Sequence, residues 1–275
     1  MKTIVTACML TLLSLSQAAA QDARPDTGFL HGSGFRPAYD AVCGLGSAIG
    51  DGCTAIRARD IVDAEGWPWR AIGRVNFAGI RTRQHCTGTL VAPRVVLTAA
   101  HCLYSYPRRM WIQPHSITFV AGYQRGGGVA VSRGLRFVLD EGQDTASRDF
   151  RATPDTDWAL VILEDPIGHE VGFLDLAIQV PAGAGFMLAG YAGLRPEVLS
   201  VARECGTPLA GVPAAVMLRC AAMQGDSGAP VLVRQGGGYA VAGVFSSVMT
   251  RGEDVFSLAI APSAFRDAVS QVRQE

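Results

Sequence analysis

Gly225-Asp226-Ser227-Gly228-Ala229-Pro230 decides how this chain reads, together with Leu97-Thr98-Ala99-Ala100-His101-Cys102 and Asp157-Trp158-Ala159-Leu160 upstream of it. In chain order the three strings supply a base, a carboxylate and a hydroxyl. A serine hydroxyl attacks a carbonyl poorly until a histidine takes its proton. A carboxylate then holds the imidazole in the right tautomer and stabilises the imidazolium that forms. Taken singly, Ser227 reads as a turn residue and His101 as a satisfied core histidine. Taken together they point to acyl transfer, with Ser227 as nucleophile, His101 as general base and Asp157 as the orienting group. Asp155 is the rival for the third role, but Asp157 directly precedes the apolar run. The Gly225 and Ser227 N–H groups form the candidate oxyanion hole, and glycine at 225 permits a backbone twist that a β-carbon would oppose. A nucleophile elbow of the lipase type fits badly. It wants glycine two places after the serine, where Ala229 stands, and its histidine comes last.

These strings, with Pro68-Trp69-Arg70-Ala71-Ile72-Gly73-Arg74-Val75 and Cys86-Thr87-Gly88-Thr89-Leu90, resemble the trypsin/chymotrypsin superfamily of serine endopeptidases. The closer likeness is to its bacterial secreted branch of trypsin-like and glutamyl-endopeptidase-like enzymes, and it runs from about Ile61 to the C-terminus. The resemblance implies an all-β fold of two packed six-stranded antiparallel β-barrels with a C-terminal α-helix. The barrels would cover about 61–165 and 172–262, and the helix about 263–274. It implies hydrolysis of protein or peptide substrates through an acyl-enzyme on Ser227, with no cofactor and no metal. It pairs Cys86 with Cys102 and Cys205 with Cys220, leaving Cys43 and Cys53 to each other. It assigns Asp226 an ion pair with an N-terminal amine released by proteolytic activation. Arg57, Arg59 and Ile61-Val62 lie where such a cut would fall, although Asp60 intervenes and Asp63-Ala64 stand in place of paired glycines. The specificity pocket would be built from Ala221, Ala222, Ser246, Ser247 and Val248. Phe245 stands where glutamyl endopeptidases carry a histidine, and no aspartate occupies the pocket base. Small or medium apolar side chains are therefore expected before the scissile bond, with Asp254 as the one carboxylate able to shift that preference.

Ahead of this domain lies an address. Met1-Lys2, an apolar run from Ile4 to Leu15 and Ala18-Ala19-Ala20 form the three regions of a signal peptide, residues 1–20. The run is shorter than the roughly 20 residues a membrane span needs, so the expectation is a secreted or periplasmic protein without a membrane anchor. Losing Cys8 with the leader leaves Cys43, Cys53, Cys86, Cys102, Cys205 and Cys220, an even set suited to disulfides in an oxidising compartment. No CxxC knuckle supports a zinc site. The formal charge is +0, which gives no electrostatic case for nucleic acid or an acidic membrane. Residues 21–60 read as a pro-region or a loosely packed N-terminal extension, and 61–275 as the protease-like domain, expected to be monomeric. Short apolar runs between glycine-rich turns, such as Gln235-Gly236-Gly237-Gly238, favour an all-β fold. Phe265, Val269 and Val272 mark one amphipathic helix. His31, His85, His115 and His169 lack the flanking string of His101 and read as structural. The rival functions are a catalytically weak binding protein and an esterase on the same scaffold.

Overall fold

Val95–Thr98 and Ala159–Leu163 are buried at every residue, which places both strands in the interior. The computed structural model describes residues 52–78, 83–180, 183–208, 214–251 and 254–274. Of 36–37, 43–44, 47–48, 249–251 and 254–255 only the backbone is considered. The leader at 1–20 lies outside the described residues. In chain order the early elements are β1 (Arg36–Pro37), β2 (Cys43–Gly44), β3 (Ser47–Ala48), α1 (Gly52–Ala58) and β4 (Asp60–Ile61). Next come β5 (Ile72–Ala78), β6 (Arg83–Ala92), β7 (Val95–Thr98), β8 (Tyr104–Ser105), β9 (Met110–Trp111) and β10 (Ile117–Ala121). Then follow β11 (Ala130–Leu139), β12 (Ala159–Leu163), α2 (Gly168–Val171), β13 (Phe186–Gly190) and β14 (Ser200–Ala202). The chain finishes with β15 (Ala215–Leu218), β16 (Pro230–Gln235), β17 (Gly238–Arg251), β18 (Asp254–Ile260) and α3 (Arg266–Val272).

Six antiparallel strands close a first barrel in the order β10-β11-β12-β7-β6-β5. Closure removes the unpaired edges that an open sheet would expose. The second half follows the path β15-β18-β17-β16-β13-β14-β4, with β1 paired to β17. Its ends are joined differently. The disulfide Cys205–Cys220 links the segments that follow β14 and β15, and Arg219 N–H donates to Cys205 O at 3.1 Å beside it. The other expected bridge, Cys86–Cys102, ties β6 to the turn after β7. Cys53 is disulfide-bonded, while the side chain of Cys43 lies outside the described residues. The chymotrypsin-like architecture is thus present, one half a closed six-stranded barrel and the other an eight-stranded sheet that carries the Cys205–Cys220 cross-link.

Each half has its own core, the first around Ile72, Leu90, Leu97, Phe119 and Leu160, the second around Phe186, Leu188, Val231 and Phe245. Ile56 of α1 is fully buried in the second core, so the end of the N-terminal extension is packed onto the domain. The terminal helix docks on the first barrel through Phe265 and Val269. The Phe265 ring lies 6.0 Å from Trp158, and Arg273 donates to Val91 O. It is shorter than the expected 263–274, because Pro262–Ala264 form a 3-10 turn before it. Among the described residues no helix is long and apolar enough to cross a membrane.

Candidate active site

The antiparallel pairing of β12 with β7, Ala159 opposite Thr98, explains why Asp157 and His101 meet. Running the two strands past this register sets Asp157 beside the turn Ala100–Leu103. There Ala100 N–H donates to Asp157 O at 3.3 Å, and His101 N–H donates to Asp157 Oδ1 at 2.9 Å. His101 Nδ1–H donates to Asp157 Oδ2 at 2.7 Å. Ser246 on β17 donates its hydroxyl to the same Oδ2 at 2.5 Å. Asp157 is fully buried, and a buried carboxylate keeps its charge only when such donors surround it. Three bonds fix the ring plane and the tautomer, leaving Nε2 as the acceptor. That Nε2 is buried and makes no hydrogen bond, Ser227 included, so its lone pair is unspent. Such contacts commonly tighten only when substrate binds. Asp155, the rival carboxylate, is exposed and accepts instead from Thr153 Oγ1.

Ser227 reaches the same seam from the second half. Thr87 on β6 is the residue that joins the two halves. Its N–H donates to Ser227 O at 2.8 Å, its Oγ1 donates to Gly225 O at 2.8 Å, and that Oγ1 accepts Tyr191 N–H at 3.0 Å. Below the serine, Asp226 N–H bonds Met223 O, Gly228 N–H bonds Phe245 O and Ala229 N–H bonds Asp226 O. Among the described residues the N–H groups of Gly225 and Ser227 donate to no protein acceptor. Two convergent, unspent donors are what an oxyanion hole requires. Gly225 has φ +95°, and a β-carbon there would strike Tyr191 O and come within 2.7 Å of His85 Nε2. Gly228, at φ +78°, sits so close to Thr98 and Thr87 that no side chain fits.

The expected specificity residues are gathered nearby, though they spend their polar groups differently. The Ser246 hydroxyl is taken by Asp157, which leaves its backbone for the substrate-binding strand. Ala222, Ser247 and Val248 are buried, and the Ser247 hydroxyl has no partner. Ala221 turns its carbonyl to the guanidinium of Arg59. Backbone residues Arg36 and Pro37 of the extension pair with Val248 and Ser247. The Asp254 backbone pairs with Arg251 at the tip of the β17–β18 hairpin, and its side chain lies outside the described residues.

Two residues of the site escaped the sequence reading. His85, set aside as structural, donates from Nε2 to Tyr191 O at 3.0 Å against the Gly225 loop. Burial, helped by the Arg74 charge, holds it below the ordinary imidazole range. Arg59 was weighed only as a cleavage position. Instead it forms a two-point salt bridge with Asp226, where an N-terminal amine was expected. Nothing in the sequence marks it apart from Arg57, since its partner is 167 residues away. Cys86, His101 and Cys102 form the one group among the described residues with metal-ligand atoms in reach, but both sulfurs are consumed by their disulfide.

The family model described as Trypsin matches residues 60–269. A solved glutamyl endopeptidase, in complex with MPD, aligns with a TM-score of 0.65 at 19% identity, covering 79% of this chain and 97% of that one. A thermostable serine protease from an extremophilic microorganism aligns at 0.59 and 20% identity, covering 74% and 97%. The protease Anisep from Arthrobacter nicotinovorans aligns at 0.56 and 18% identity, covering 73% and 96%.

Proposed function

The chain belongs to the trypsin family, and on that footing we propose that it is a secreted serine endopeptidase. The observation that carries the proposal is the buried group at the seam. Asp157 takes three hydrogen bonds that orient His101, whose Nε2 is free to accept a proton. The backbone N–H groups of Ser227 and Gly225 donate to no protein acceptor among the described residues. In the proposed reaction the Ser227 Oγ attacks the peptide carbonyl carbon as its proton passes to His101 Nε2. The carbonyl oxygen becomes an oxyanion held by Gly225 and Ser227 N–H. His101 then gives its proton to the leaving amine, and water enters by the same route to release the acid. Asp157 stays ionised and stabilises the imidazolium. The substrate strand would lie along Ser246–Val248 once Arg36 and Pro37 leave their pairing with Val248 and Ser247, with its side chain directed toward Ala221 and Ala222. The signal-like leader and the disulfides support export.

The test is covalent labelling. A sulfonyl fluoride should modify Ser227 stoichiometrically and abolish hydrolysis of casein, and Ser227→Ala should remove both. Peptide hydrolysis within tenfold of wild type in Ser227→Ala would refute the assignment, because loss of a triad member costs several powers of ten. Activity on small acyl esters without any on casein would favour the esterase reading instead.

A further inference from the structure

Asp226 lies next to the nucleophile, is fully buried and needs a cation. Arg59 supplies it through two parallel bonds, Nη1 to Oδ1 at 2.9 Å and Nη2 to Oδ2 at 3.0 Å. This fork-to-fork geometry is the strongest form of a charged hydrogen bond. Oδ2 also accepts Met223 N–H at 3.0 Å, and Arg59 Nη2 donates to Ala221 O. One guanidinium therefore grips both ends of the segment 221–226 that leads into the oxyanion donors. Arg59 is itself held in place. Its N–H donates to Ile56 O at 3.3 Å, and Arg195 donates to the carbonyls of Arg59 and Arg57. Just beyond it, β4 pairs with β14, Ile61 opposite Ser200. Ile61 is 57% exposed, and its backbone is committed to that strand pairing.

We infer that Arg59 is a positioning residue for catalysis: from within the uncut chain, its guanidinium orders the loop that carries the Gly225 and Ser227 donors. The resemblance assigned that task to an amine freed by proteolysis. This role presupposes the endopeptidase reading above. It makes a cut between Arg59 and Val62 unnecessary, and it is compatible with loss of residues upstream of Cys53. It also changes the response to alkali. An α-amine loses its charge near pH 8, whereas a guanidinium keeps it above about pH 12. Besides Asp226, the charged groups around Arg59 are Arg195 at its carbonyl, the Asp60–Arg203 pair, and Glu204 and Arg219 along the same cavity wall. His85 lies on the far side of Asp226 and responds to its charge. The nearby Tyr191 hydroxyl is pushed well above its ordinary range by burial. Lys2 is the only lysine in the chain, so Arg59→Lys places a single new amine in the domain.

The experiment follows kcat, KM and amide exchange of segment 221–229 from pH 6 to 10.5 in the secreted wild type, Arg59→Lys and Arg59→Gln. Intact mass identifies the N-terminus of the active species. The wild type should hold kcat/KM level from pH 8 to 10 with the Arg59–Asp60 bond intact. Arg59→Lys, which keeps the charge but offers one ammonium in place of the two-point fork, should lose kcat to a smaller extent than Arg59→Gln, with KM little changed. Arg59→Gln should lose about 100-fold in kcat, the order seen when an oxyanion donor is lost, with its loop exchanging faster. Should that variant fail to fold, kcat and loop exchange of Arg59→Lys decide alone. A wild type whose activity falls near pH 8, with active chains starting beyond Arg59, overturns the inference. So do variants that keep the wild-type profile and loop protection. The two failures are distinguishable. A wild type that labels at no serine, yet whose loop loosens in Arg59→Gln, refutes the endopeptidase and with it the role in catalysis, leaving Arg59 as an ordering contact of the loop alone. One that cleaves peptides while kcat and the loop ignore residue 59 upholds the endopeptidase and refutes the positioning role.

Discussion

Asp157→Asn replaces one carboxylate oxygen by an NH2 group in a fully buried side chain, and the hydrogen bonds around it set the outcome. In the wild type Oδ1 accepts His101 N–H at 2.9 Å, while Oδ2 accepts Nδ1–H at 2.7 Å and the Ser246 hydroxyl at 2.5 Å. An asparagine has one acceptor to offer. If its NH2 faces the backbone N–H of His101, two donors meet in a dry site, at a cost of about 1–3 kcal/mol. The amide therefore turns its oxygen to the backbone and its NH2 to Nδ1. His101 must then carry its proton on Nε2, where it cannot take one from Ser227. This orientation bias accounts for about one to two powers of ten, at about 1.4 kcal/mol each. Loss of the negative charge beside the developing imidazolium supplies the remainder, giving a fall of about 10⁴ in kcat. The assay is steady-state hydrolysis of a peptide ester, with near-ultraviolet dichroism to confirm that the variant is folded. Asp155→Asn, at an exposed position, should leave kcat unchanged. A folded Asp157→Asn enzyme losing less than tenfold would refute the reasoning, since orientation alone predicts more.

Gly225→Ala should lower kcat by at least about 100-fold with a smaller change in KM, because a β-carbon at φ +95° collides with Tyr191 O; an unimpaired variant would dismiss Gly225 as a donor. His85 is held neutral by burial and by Arg74, so the unfolded chain binds a proton more readily than the folded one below about pH 6.5. Its contribution to stability is complete above that pH and is lost as pH falls, and His85→Gln should flatten the acid side of a plot of Tm against pH. Replacing Cys205 and Cys220 together by serine should cost about 3 kcal/mol in the chain-entropy account of a short loop, read from urea unfolding. The expected apolar pocket predicts that an Ala or Val anilide outperforms its Arg and Glu counterparts by about tenfold or more, about 1.4 kcal/mol. A winning Arg substrate would direct attention to Asp254.

What was legible in the sequence is what short strings encode. His101, Asp157 and Ser227 each sit in a run whose small or apolar neighbours are needed to bring backbone and side chain close, so chemistry and packing leave the same mark. The stripe Phe265, Val269 and Val272 likewise announced a helix, although Pro262 moved its start into a 3-10 turn. Ser246 was located, but its hydroxyl was expected in the substrate site. Its engagement with Asp157 depends on how the two halves pack, which no local pattern records. Arg59 and His85 were missed for the same reason. One acts through a carboxylate 167 residues along the chain and the other through a carbonyl 106 residues away. An arginine two residues after another arginine, and a histidine before a cysteine, carry no local signature of such partners. The second half was anticipated as six strands, whereas its sheet has eight, because the short strands β1 and β4 pair onto β17 and β14, contacts between distant segments that no local pattern records.

The separations of these links along the chain imply an order of events. The cross-links Cys86–Cys102 and Cys205–Cys220 join residues only 16 and 15 positions apart. Each can be oxidised as soon as its own hairpin-sized stretch is available, without waiting for the rest of the chain. The grip of Arg59 on Asp226 is of another kind. Arg59 emerges early and its partner 167 residues later, with nearly the whole domain between them, and closing so long a loop carries the larger entropic cost. An N-terminal arginine that can be seated only after the final barrel has formed acts as a completion signal. If Arg59 acts as proposed, the oxyanion donors line up only once the fold is whole, and a chain still folding has no competent site.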